Sequence, residues 1–188
     1  MGTRSEIVLW DGGLERPLVL YKHWDGYPEF MIPHIRRALR LAAWMAADHR
    51  HWLGYAENAA AYLILYDGLW HIHRKRMWKR AQGWEVPCNV DIRPCGGIAD
   101  LVEYVYVIRL SPERWDVEVF EVDPGTPEDP GFWSLGRAER DEAYLKYLKG
   151  ESNGIPHARL IRRVEMRIPE TVRRPPFAVT VRPRGKIR

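Results

Sequence analysis

The chain has 188 residues, 46% of them hydrophobic and 29% charged, with a formal net charge of +4. That length suits one well-packed domain with room for a tail. No run of about eighteen uninterrupted apolar residues could cross a membrane, and the opening MGTRSEIVLW lacks the layout of a signal peptide, so a cytoplasmic protein is expected.

Ile7 to Trp10 and Leu18 to Tyr21 are short apolar runs on either side of DGGLERP, whose Asp-Gly-Gly is a turn signal, and together they predict an opening β-hairpin. Tyr21 to Glu29, YKHWDGYPE, follows. Asp25-Gly26 turns the chain and Pro28 keeps Tyr27 out of the helical region, so this stretch reads as the joint between the hairpin and the next layer. Ile35, Leu39, Ala42, Met45 and Ala46 recur at helical spacing and predict a helix from Pro33 to about His49. After Gly54, a second helix is expected from Ala56 to Tyr66, ended by Asp67-Gly68, and a third from Leu69 to about Gln82. Residues 84–97, WEVPCNVDIRPCGG, show no period and read as a loop. Its Cys88 and Cys95 fit neither CxxC zinc spacing nor a secreted disulfide framework; they read as ordinary thiols, with a local disulfide as the alternative.

The period then changes. LVEYVYVIRL (101–110) and the strictly alternating WDVEVFEV (115–122), joined by SPER, predict a second hairpin. An irregular loop follows over 123–131, and GRAERDEAYLKYLKG predicts a helix closing at Gly150. RLIRRVEMRI (159–168) alternates in part and can add a strand. Pro169, Pro175, Pro176 and Pro183 exclude helix from the rest, which reads as an extended arm. The expected fold is α+β: an antiparallel sheet from two hairpins, covered on one face by the helices of 33–82, with a domain over 1–158 and a basic arm or added strand over 159–188.

Charge is segregated along the chain. Residues 162–188 hold nine basic residues against Glu165 and Glu170, a local +7, whereas 113–142 hold ten carboxylates against three arginines, a local −7. HRKRMWKR (73–80) adds five positive charges around Trp78, and RRALR (36–40) three more. One reading is a polyanionic partner, RNA foremost, held by Arg74, Lys75, Arg76, Trp78, Lys79, Arg80, Arg173, Arg174, Arg182, Arg184, Lys186 and Arg188, since arginine grips phosphate bidentately and aromatics stack on unpaired bases. The other is that the basic stretch pairs with the acidic middle of the same chain or of a neighbouring subunit. The usage of 23 Arg against 6 Lys, with three Asn and one Gln, fits a protein from a hot environment.

MGTRSEIVL, LYKHWDGYPE and the later EYVYVI resemble an uncharacterised phage and prokaryotic protein family with an MGTR start and a YxHWDGYPE segment. The resemblance covers less than a quarter of the chain. It implies an association with viruses or mobile elements and no particular mechanism.

The candidate catalytic residues are His23, Asp25 and Glu29: a histidine beside carboxylates can do acid/base chemistry or help hold a divalent ion. His49-Arg50-His51 and His71-Ile72-His73 carry ligand-type side chains at i and i+2, which share a face on a strand but diverge on the helices expected here, so no metal site is expected. Of the nine tryptophans, Trp78 among its arginines is the best candidate for an exposed stacking ring, while core filling suits most others, Trp24 and Trp115 included. No GxxxxGK[ST], GxSxG or HExxH string occurs, and no cofactor is expected. The leading expectation is a non-enzymatic protein that binds nucleic acid or a nucleoprotein assembly. The alternatives are a metal-assisted or acid/base hydrolase using His23, Asp25 and Glu29, and a structural homo-oligomer subunit.

Overall fold

In the computed structural model, residues 2–82, 92–94 and 101–172 are described, the side chains of 75–82, 93 and 94 excepted. The opening hairpin forms as its apolar runs predict. Strand β1 (Ser5–Trp10) pairs antiparallel with β2 (Leu18–Lys22), Leu9 opposite Leu18 and Ser5 opposite Lys22. The second hairpin also forms, from β4 (Tyr104–Leu110) and β5 (Arg114–Val122), with Ile108 opposite Val117. Between them a short β3 (Ile92–Pro94) lies within the stretch that lacks any sequence period. It is placed by pairing with β2 rather than by a pattern of its own. Strand β6 (Ala158–Arg167) completes a six-stranded sheet in the order β3-β2-β1-β4-β5-β6. The hairpins join through β1 and β4, which run parallel, because β2 departs into the helices and leaves the other edge of β1 to the returning chain. Every other pairing among the described strands is antiparallel.

The helical layer differs from expectation in two ways. Helix α1 (Pro28–Met45) starts five residues early: Pro28 takes the first-turn position that suits proline, and Pro33 lies inside the helix. Helix α2 (Ala56–Gln82) runs unbroken through Asp67-Gly68. Asp-Gly is a stop signal only where its side chain and backbone turn together; here the Asp67 carboxylate is bound inward by neighbouring elements, which outweighs the helix cost of about 1 kcal/mol for a glycine. Asp11, read as part of a turn, serves two elements: it accepts the Gly13 N–H at 2.9 Å and the Ala56 N–H at the start of α2 at 3.0 Å. A 3-10 turn, Arg50–Gly54, joins the two helices and is tied to the sheet by the Trp115 indole N–H, which donates to the Leu53 carbonyl at 2.8 Å.

Alternation along the strands assigns the two faces of the sheet. Ile7, Leu9, Leu20, Tyr106, Ile108, Trp115, Val117 and Val119 pack under α1 and α2 around Ile35, Ala42, Leu63 and Tyr66. The opposite face, which the sequence reading left uncovered, carries Val8, Tyr21, Val105, Val107, Phe120 and Val122 against Phe132, Tyr144, Tyr147 and Leu148. The last three belong to α3 (Arg137–Leu148). That helix is pinned by polar groups: the Tyr144 hydroxyl donates to the buried Glu6 carboxylate, and Arg140 lies 3.9 Å from the same group. Burial pushes the Glu6 carboxyl above its ordinary range despite both partners. In β6 a register shift opposite Val119 and Phe120 leaves Ile161 as the extra residue. Leu160 and Val164 thereby reach opposite cores although they share parity.

Candidate functional site

The YKHWDGYPE segment closes a corner. Asp25 adopts a positive φ of 55°, and Gly26 packs so tightly on the start of β1 that a Cβ would meet the Arg4 carbonyl carbon at 2.8 Å and the Ser5 nitrogen at 2.9 Å. The Gly26 N–H donates to the Thr3 carbonyl, and the Tyr106 hydroxyl donates to the Gly26 carbonyl at 2.7 Å. Around this corner the three candidate residues separate. His23 Nδ1 lies 3.2 Å from the Tyr21 hydroxyl and its ring meets the edge of Trp24; Asp25 contacts Arg74 at 3.4 Å; Glu29 is exposed in the first turn of α1. No hydrogen bond or ion pair joins His23, Asp25 and Glu29 to one another among the described residues. Trp24, expected to fill core, is 52% exposed and lies across Gly2, whereas Trp115 is fully buried.

A different cluster of ionisable groups forms in the interior. Asp67 on α2 is fully buried, with Lys22 Nζ and His34 Nε2 each 3.1 Å from Oδ1, and the Ile92 N–H donating to Oδ2 at 2.9 Å. His71, one turn along α2, brings Nε2 to 3.6 Å from Oδ2. Neither histidine Nε2 is aligned for a hydrogen bond to the carboxylate. Phe30 stacks on His34 at 5.1 Å and lies 5.4 Å from Lys22 Nζ, and the rings of Tyr66 and Trp70 stand edge-on to His34. Burial alone would raise the Asp67 carboxyl, but contact with His34, the Lys22 charge and the Ile92 N–H outweigh it and hold the group well below the usual carboxylate range. Burial likewise pulls the His34 imidazole below its ordinary value, so it is neutral at pH 7.

This knot joins β2, β3, α1 and α2 through one carboxylate. Lys22, His34 and Asp67 are sealed from solvent, and the ammonium occupies carboxylate space that a cation would need. No group of three or more His, Cys, Asp or Glu side chains among the described residues is arranged to hold a metal ion. Two signals in the sequence point to the knot. Lys22 keeps the parity of Leu18 and Leu20, and Asp67 is the one carboxylate between Glu57 and Arg74 in an otherwise apolar helix.

The basic residues fall into two populations. On β6 they face the acidic middle of the chain: Arg159 pairs with Glu121 at 2.6 Å and Arg163 with Glu118 at 3.0 Å, while Glu165 meets Arg167 at 2.9 Å and Arg114 at 3.5 Å. Strand pairing thus matches part of the basic stretch with the acidic one. On the outer face of α1, Arg36 and Arg40 are exposed, and neither enters an ion pair among the described residues. They stand one turn apart, and one turn further lies Trp44, 42% exposed. Beyond it Trp52 is 45% exposed, with the His49 ring parallel to it at 4.5 Å. Of the residues in 74–80, Arg74 is exposed beside Asp25; the side chains of Lys75, Arg76, Trp78, Lys79 and Arg80 lie outside the described set, as do Arg173, Arg174, Arg182, Arg184, Lys186, Arg188, Cys88 and Cys95. His71 and His73 stand two apart on α2, where helical geometry turns them away from each other.

Compared with protein-family models, curated proteins and solved structures, the chain matches none. Among the described residues no helix is long and apolar enough to cross a membrane.

Proposed function

We propose that this protein is a non-enzymatic binder of nucleic acid, single-stranded RNA foremost, and that Arg36, Arg40, Trp44 and Trp52 form the core of its binding face. The observation that carries this reading is the contrast between the two arginine populations. Arg159, Arg163 and Arg167 on β6 already have carboxylate partners, whereas Arg36 and Arg40 sit on a helix face with no ion pair among the described residues and an exposed indole in line with them. Guanidinium groups supply phosphate contacts and exposed indoles supply sequence-tolerant stacking. The basic runs 74–80 and 173–188 supply further cations for the same partner, which is the nucleic acid itself or an assembly that contains it. A cytoplasmic protein of a thermophile, or of a virus or mobile element that infects one, is the setting that fits the amide-poor composition and the resemblance of the N-terminal segment.

The test is fluorescence anisotropy with a labelled single-stranded RNA at several salt concentrations. Arg36→Ala with Arg40→Ala is expected to weaken binding tenfold or more at low salt and to lower the log–log salt slope by about 1 to 1.5. Trp44→Ala should weaken binding with little change in slope. Absence of salt-dependent binding by the intact chain would overturn the proposal.

A further inference from the structure

Helix α2 is apolar nearly all the way round. Between Glu57 and Arg74 its one charged side chain, Asp67, is buried, and the helix is far less amphipathic than α1. A helix of this kind is normally covered on every side. Tyr66 and Trp70 face α1, and Ala59, Leu63 and Asp67 are buried, yet on the remaining side Ala61, Leu65 and Ile72 are exposed, the last two by 39% and 44%, with half-buried Gly68 in line. The spacing of this line, 61, 65, 68 and 72, alternates four and three, which is the seam of a two-helix coiled coil rather than a scatter of surface residues.

We propose that this seam is the contact surface of a symmetric dimer, and that its occupant is α2 of a second copy, antiparallel about a twofold axis between Leu65 and Gly68. The sequence along the seam complements its own reverse. In that register each Leu65 lies over the partner copy's Gly68 and each Ala61 over Ile72, so a large side chain meets a small one in every central layer. The flanking positions match as well, Tyr62 with Leu69 and Ile64 with His71, all partly buried in the single chain. A parallel pairing would instead stack Gly68 on Gly68 and Glu57 on Glu57. The proposal is independent of the nucleic-acid reading, since Arg36, Arg40 and Trp44 belong to α1, on the far side of α2 from the seam.

The test is the mass of the intact chain by light scattering coupled to size exclusion, with far-UV circular dichroism as the check on folding. A dimer is expected for the parent chain, and Leu65→Lys, at an exposed position, should halve the mass without altering the spectrum. A second variant tests the geometry: Ala61→Cys with Ile72→Cys should form an interchain crosslink on mild oxidation. Within one chain the two positions are about 16 Å apart along the helix and cannot bond to each other. Neither single variant should crosslink efficiently, and the parent chain controls for Cys88 and Cys95. A monomer at hundred-micromolar concentration, a dimer indifferent to Leu65→Lys, or a double-cysteine variant that crosslinks no better than the parent would each overturn the proposal.

Discussion

At the scale of single residues, the most consequential side chain is Asp67. Its two oxygens serve Lys22, His34, His71 and the Ile92 N–H, so one carboxylate holds four elements in place. Removing one member of a buried charge cluster is far more damaging than replacing the whole cluster by apolar groups. Asp67→Asn is therefore expected to destabilise the protein by about 3–5 kcal/mol, read as a lower urea midpoint at unchanged slope. The knot is partly legible in the sequence, as a lysine on the inward parity of an apolar strand and an aspartate within an apolar helix. The identity of its partners is not, because Lys22 and Asp67 are 45 residues apart and meet only when β2 docks under α2. The reverse holds for His23, Asp25 and Glu29. Their proximity in sequence suggests a site, but the turn between them sends His23 to Tyr21 and Asp25 to Arg74 and leaves Glu29 exposed on α1.

At the scale of elements, both hairpins and the helical layer follow from periodicity, since alternation and 3.6-residue spacing are local properties of the chain. Pairing of β1 with β4, placement of β3 and coverage of the second face by α3 are not local. Helix α3 illustrates why: half of its short sequence is charged, and what docks it is Tyr144 donating to a glutamate on β1, 138 residues away. Glu6 is held above its ordinary value of 4.5, so as the pH rises from about 4.5 the unfolded chain releases this proton before the folded one does, and stability falls through the folded value. The Tyr144 hydroxyl offsets that loss by donating to the ionised carboxylate. Tyr144→Phe is therefore expected to cost least at pH 4, below the folded value of Glu6, and about 1–3 kcal/mol at a pH above that value, where the carboxylate is ionised. Urea titrations at the two pH values measure the difference, and an equal cost at both would contradict this account of how α3 is held.

At the scale of the whole molecule, the folding of the chain back on itself divides its charge. The local −7 of 113–142 and the basic stretch that follows look equal and opposite as strings, but antiparallel pairing of β5 with β6 sets only Arg159 and Arg163 against acids of that stretch, Glu121 and Glu118, leaving Arg36 and Arg40 of α1 without an ion pair among the described residues. Ile168 and Val172 still pack on the core beneath α1 and α2, so the sheet's hold on the chain extends past the end of β6. Deleting residues 173–188 should leave the melting temperature within about 4 °C of the parent, a change of at most about 1 kcal/mol for a domain of this size. The same deletion should lower the salt slope of RNA binding by about 0.7 for each cation that had contacted the strand. A truncation that unfolds the protein would show that the segment belongs to the core instead.

The sequence by itself determined the α+β class, both hairpins, the helical layer, the corner at Asp25-Gly26 and the segregation of charge, because each depends on neighbouring residues or on composition. Only the tertiary structure decided which arginines are already neutralised, that Asp67-Gly68 continues a helix instead of ending it, and that Lys22, His34, Asp67 and His71 meet at one point. Those outcomes rest on contacts between residues far apart in the chain, and burial gives such contacts the strength to override local preference.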